Sequence, residues 1–154
     1  MKSFAFAIAV LVGACGSKTP SQPTTPPEGS AAPAAALPDV AFEQLDHDQK
    51  IQFMKEKVMP EMAAAFQAHD AKEFAEFGCK TCHGPGAEKG EFHMPYDGLP
   101  KLGEKEMAKY KKEDIEWMAT VIKPKMAALL KEPEYSKDNP NGFGCMHCHT
   151  AAAE

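Results

Sequence analysis

Apolar residues recur at every fourth position along two stretches of this chain. Met54, Val58, Met62 and Phe66 form one series, and Met118, Ile122, Met126 and Leu130 form the other. On a helix of 3.6 residues per turn, steps of four drift by only about 40° each, so each series makes one stripe. Alternating apolar and polar runs, which would mark strands, are absent, while Ala, Met, Glu and Lys dominate. The pattern predicts an all-α domain. Pro60 and Pro124 fall inside the stripes. Proline lacks an N–H and its ring meets the carbonyl four residues back, so each should kink its helix or start a new one.

The stripes belong to a longer repeat. Offset by 64 residues, Ile51, Phe53, Met54, Val58, Pro60, Met62 and Phe66 meet Ile115, Trp117, Met118, Ile122, Pro124, Met126 and Leu130. After a two-residue insertion, Phe77-Gly78-Cys79 meets Phe143-Gly144-Cys145. The chain therefore reads as two pseudo-repeated modules, about 39–100 and 101–154, each a helix followed by a short Cys/His motif. Between them, Gly84 to Gly103 is rich in Gly and Pro and is expected to be a loop, with Phe92, Tyr96, Leu99 and Leu102 as packing residues. The charged run Lys101 to Lys112 is expected to be the solvated start of the second helix.

Before the modules, the pattern changes twice. Residues 1–14 carry a basic start and an apolar run from Phe4 to Val12, the length of a signal-peptide core and too short to span a bilayer. Val12-Gly13-Ala14-Cys15 is similar to a bacterial lipobox, in which Cys15 would carry lipid chains and anchor the protein to a membrane surface. Residues 15–38 are rich in Pro, Ala, Ser and Thr, a composition that cannot bury enough surface to order itself. As a disordered tether in extended form, at ~3.1 Å per residue, it would reach roughly 70 Å from the membrane. These features point to the bacterial periplasm or cell surface. Gly16, standing where an aspartate would favour inner-membrane retention, tilts the choice toward the outer membrane.

The motifs carry the chemistry. Cys79-Lys80-Thr81-Cys82-His83 and Cys145-Met146-His147-Cys148-His149 are each C-x-x-C-H, the pattern of c-type haem attachment. Two thiols three positions apart can form thioethers to the two vinyl groups of one haem, and the adjacent histidine then serves as the proximal iron ligand. The reading assigns Cys79, Cys82, Cys145 and Cys148 to two covalently bound haem c groups, with His83 and His149 as proximal ligands. The fifth cysteine is Cys15, so none is left for a disulfide framework. Two such groups would also supply apolar interior to a small domain.

The sixth ligand remains open at this level. Met62 and Met126 occur in both copies, 17 and 19 residues before the first cysteine of their motifs, and are the first choice. Met54 and Met118 lie two turns earlier on the stripes. Met94 in the loop, His69 and His93 are further alternatives without a counterpart in the other copy. Methionine stripes also serve as ordinary core packing, because the flexible thioether fills irregular gaps.

A helix bearing a methionine, followed by C-x-x-C-H and repeated in tandem from Ile51 to His149, resembles the haem module of the multihaem cytochrome subunit of photosynthetic reaction centres. The resemblance implies an axial methionine on the helix upstream of each motif, Met62 for His83 and Met126 for His149. It also implies electron transfer without bond chemistry on a substrate.

The formal net charge is −5, which favours redox partners with a basic docking surface. The chain has no arginine and its lysines alternate with glutamates, so no nucleic-acid partner is expected. Two rivals stand beside the electron carrier. A dihaem peroxidase would need an open iron position with acid–base groups such as His69, His93 or Glu91. A structural zinc site would use the four motif cysteines.

Overall fold

A computed structural model describes residues 36–153. The expected signal peptide, the lipid site at Cys15 and most of the tether lie outside the described residues. Within them the chain is helical, and extended pairing is limited to two isolated bridges, Leu102 with Ala151 and Glu134 with Phe143. No described helix is long and apolar enough to cross a membrane.

After a short turn at Phe42–Gln44, α1 (His47–Phe53) opens on a reciprocal cap. Asp46 accepts the Gln49 N–H at 2.9 Å, and the Gln49 side chain accepts the Asp46 N–H at 3.0 Å. The chain then passes without a break through a π-turn, Met54–Val58, into α2 (Met59–His69). The second stripe follows the same course: α5 (Lys112–Trp117), a π-turn at Met118–Ile122, then α6 (Lys123–Leu130). Between the two rods lie α3 (Cys79–His83), a 3-10 turn at Pro85–Lys89 and the one-turn α4 (Glu104–Met107). The charged run after Lys101 is thus α4 and a separate turn, and α5 begins only at Lys112. Its residues fold against Gly103 and Glu104 through local hydrogen bonds instead of joining the next helix.

The π-turns answer the question the prolines raised. Met59 donates to the carbonyl of Met54, five residues back, and Lys123 to that of Met118. Each wide turn sits directly before its proline, so the ring enters at the first turn of a new α-segment, where no N–H is needed. The extra residue per turn also suits a stripe of period four, which a pure α-helix would let drift.

The stripes face one another. Val58, Met62 and Phe66 are buried, Met62 at 3 % exposure, with Trp117, Met118, Ile122 and Met126 packed against them. Ala127, Leu130 and Phe143 form a second buried cluster, against which Phe42, Phe53, Met54 and Met126 pack. α2 meets the second π-turn and α6 meets the first. At the crossing, Lys125 donates to Glu61 at 2.7 Å, which holds the Glu61 carboxyl below the usual range. Aromatic edges fix the ends: Phe66 meets Phe74, Phe77 and Trp117 at 4.8, 4.9 and 5.0 Å between centroids. His69 stacks on Trp117 at 4.0 Å and donates through Nε2 to Asp114 at 2.8 Å. Burial of such side chains contributes about 1.5–3 kcal/mol each.

Candidate functional site

Each motif is tied to the core by the phenylalanine two residues before it. Phe77 packs on Phe66, and Phe143 is 6 % exposed beside Leu130. Chain geometry then delivers Cys79 and Cys145 at the edge of the helix pair. The two motifs open with the same cap. The Gly78 N–H is accepted by the Thr81 hydroxyl at 3.0 Å, and the Gly144 N–H by Nδ1 of His147 at 3.0 Å. In return the Thr81 and His147 amides donate to the carbonyls of Gly78 and Gly144. The third motif position thus has a structural task in both copies, one that the motif pattern alone leaves blank. A hydrogen-bond acceptor at both positions was the available signal.

All four motif cysteines are free thiols. Burial, aided by the nearby Cys148 and Cys79, pushes the Cys82 thiol up to about 12, and burial with Cys145 pushes Cys148 up to about 11. Reactive or metal-bound cysteines have depressed values, because the thiolate is the active form. These thiols instead stay protonated at neutral pH. Tyr96 brings the two motifs, far apart in sequence, together: its ring lies against Gly84 and its N–H donates to the Cys148 carbonyl at 3.0 Å. Among the described residues, no three His, Cys, Asp or Glu side chains are grouped to hold a metal ion.

The connecting loop serves both motifs. Its Phe92 ring meets the His83 ring edge-on at 5.5 Å and 82°. His83 is half-buried, and burial lowers its pKa against the opposing influence of the Phe92 backbone, which is not at hydrogen-bonding geometry with the buried Nδ1. Farther along, the carbonyl of Pro100 lies 2.8 Å from Nδ1 of His149. A carbonyl only accepts, so Nδ1 carries the hydrogen and Nε2 of the neutral ring keeps its lone pair. Backbone bonds lash this stretch to the C-terminal segment: Tyr96 N–H to Cys148, Leu102 N–H to Thr150 and Ala152 N–H to Leu102, at 3.0, 2.8 and 2.8 Å. Pro100 carried no sequence signal for this role, since the contact joins residues 49 positions apart.

Gly84, next to His83, is buried and adopts φ 73 and ψ −175, a conformation closed in practice to residues with a side chain. The Tyr96 ring lies over both Gly84 and Gly98, so a Cβ at either would collide with it. Beside the first motif lies an open pocket of about 260 Å³, lined by Gly78, Cys79, Lys80, Ala87 and Glu88.

The other expected ligands are distributed as follows. Met62 is within the first buried cluster, Met126 packs against both clusters, and Met54 and Met118 are partly buried against them. Cys148 packs against the second cluster, which brings the second motif to α6. His69 is engaged by Asp114 and Trp117, His93 is exposed and Met94 is half-buried in the loop. Comparison with protein-family models, curated proteins and solved structures finds no match to this chain.

Proposed function

We propose that this chain is a dihaem c-type cytochrome that carries electrons, built as two modules of one pattern. The observation that carries the reading is the pair of like-built C-x-x-C-H turns, each presenting free thiols beside a histidine. At His149 the ring is held with Nε2 available. These residues fit the group: free thiols are what thioether attachment consumes, and a neutral imidazole is the form that ligates iron. Cys79 and Cys82 with His83 would hold one haem, and Cys145 and Cys148 with His149 the other. When bound, the groups supply one-electron redox chemistry; the chain's residues attach them, orient the ligands and limit water access.

The module reading has support beyond the sequence. Both π-turns stand immediately before the repeated prolines, and both motifs use the same cap. Glu61 and Lys125 occupy equivalent repeat positions and touch each other, as residues near a two-fold axis do. Phe53 packs against the cluster of Ala127, Leu130 and Phe143, and the equivalent Trp117 packs against that of Val58, Met62 and Phe66. Met62 and Met126 remain our proposed distal ligands. His69 is set aside because its Nε2 is already donated to Asp114. That engagement, with the exposure of His93, also weakens the peroxidase reading. We propose further that a lipid at Cys15 and the 15–38 tether hold the domain at a bacterial membrane, facing redox partners with basic docking surfaces.

The test is a haem assay on the chain produced with a c-type maturation system. Two covalent haems per chain are expected, one in Cys79→Ala/Cys82→Ala and one in Cys145→Ala/Cys148→Ala. Full-length protein without covalent haem would refute the proposal.

A further inference from the structure

Resting on the dihaem reading, we propose that the two modules hold each other's haem sites. Trp117 of the second module is a positioning residue for the first C-x-x-C-H turn, and Phe53 of the first module is one for the second turn.

The repeat makes Phe53 and Trp117 equivalents, each standing directly before a π-turn. In a self-contained module Trp117 would pack on its own Leu130 and Phe143. It packs instead on Val58, Met62 and Phe66 of the other module. Its ring meets Phe66 edge-on at 5.0 Å and 87°, and Phe66 meets Phe77 at 4.9 Å. Phe77 leads through Gly78 into Cys79, so a line of rings runs from the second module to the first motif. The first module holds Trp117 by a second grip. His69 stacks on its ring at 4.0 Å and 10°, and bonds Asp114 on the same helix at 2.8 Å.

The reciprocal contact closes the second site. Phe53 packs against the cluster of Ala127, Leu130 and Phe143, and Phe42 joins it there with the two rings 5.5 Å apart. Phe143 leads through Gly144 into Cys145. Its ring lies 4.8 Å from that of His147, which caps the turn, and Cys148 packs against the same cluster. Phe53 also borders the first cluster, because Val58 follows it on the same rod, so Trp117 is the sharper probe of the crossing. A site keeps its geometry only as well as the side chains packed behind it, and burial around a haem tunes its potential. Each redox centre should therefore respond to the opposite module.

The experiment is a potentiometric titration of matured full-length protein carrying one haem at a time. Cys145→Ala/Cys148→Ala keeps the first haem. There, Trp117→Leu is expected to shift the midpoint by at least about threefold in equilibrium constant, roughly 30 mV for one electron. In Cys79→Ala/Cys82→Ala, which keeps the second haem, Phe53→Leu should give the larger shift and Trp117→Leu the smaller. Trp117→Phe, which keeps a ring against Phe66, should shift the first haem by less, and it decides the matter where the leucine variant does not fold. Equal shifts at both haems, or a larger shift in the substituted residue's own module, would overturn the proposal. The haem-free full chain gives a second readout. Trp117→Leu should speed alkylation of Cys82 more than that of Cys148, and Phe53→Leu should do the reverse; an uncrossed pattern overturns the proposal. If the unmutated matured chain holds fewer than two haems, the haem count shows that the dihaem reading fails, and the alkylation pattern still decides the crossing.

Discussion

Replacing Gly84 with alanine tests whether the backbone turn after His83 holds the first motif in place. The native conformation, φ 73 and ψ −175, costs a residue with a side chain of order 1–3 kcal/mol. A separate cost comes from Tyr96. Its ring lies where the new Cβ would go, also covers Gly98, and belongs to a residue anchored to Cys148 by a 3.0 Å backbone bond. Overpacking of this kind adds about 1–3 kcal/mol. Together the terms come to about 2–6 kcal/mol, against a total stability of about 5–15 kcal/mol for an ordinary domain. At roughly 4 °C per kcal/mol for a domain of this size, the melting temperature should fall by roughly 8–24 °C. Thermal unfolding by far-UV circular dichroism on the wild type, Gly84→Ala, Tyr96→Ser and the double variant separates the terms. The double variant should be less destabilised than the sum of the singles, because the truncated ring no longer collides. A Gly84→Ala protein that melts within about 2 °C of the wild type would show that neither term operates. Strict additivity would refute the steric half alone.

Three further outcomes are expected. Met62 is 3 % exposed, so Met62→Ala should cost about 2–5 kcal/mol in chemical denaturation, whereas Met62→Leu should cost under about 1.5 kcal/mol. If Met62 also ligates iron, the leucine variant will nonetheless lose about half of the charge-transfer band of methionine-bound ferric haem, Met126 accounting for the rest; a band of undiminished intensity per chain rules out that ligand. In the haem-free chain, exposed Cys145 should alkylate first at mildly alkaline pH, while Cys82 resists. A folded pKa raised above the unfolded one stabilises the fold below the unfolded value, so stability should decline as pH rises from the ordinary thiol value of 9.0 toward about 12. Early modification of Cys82 in the folded chain would contradict its burial. Finally, Glu61→Lys places two lysines at the helix crossing, and Glu61→Lys/Lys125→Glu restores an opposite pair. The single variant should melt lower and the swap should recover, with the gap closing in high salt because the pair is exposed. A swap no better than the single variant would remove this pair from the crossing.

The helical class, the two stripes and both C-x-x-C-H motifs were determined by the sequence alone, because each depends on spacing within one turn or a few. The positions of the prolines also announced a disturbance in each helix, although spacing could not say that it would be a π-turn. Tertiary structure decided the rest. It set the stripes against each other, brought Glu61 to Lys125, placed Cys82 near Cys148 and laid the loop across both histidines. It also gave Gly84, Thr81, His147 and Pro100 their tasks. The physical reason is distance along the chain and the nature of the groups involved. The caps at Gly78 and Gly144 use whichever side chain at the third motif position can accept a hydrogen bond, here a hydroxyl and an imidazole, so no fixed residue pattern marks them. The bond from His149 to Pro100 uses a carbonyl that no substitution pattern marks, and only folding brings it within 2.8 Å.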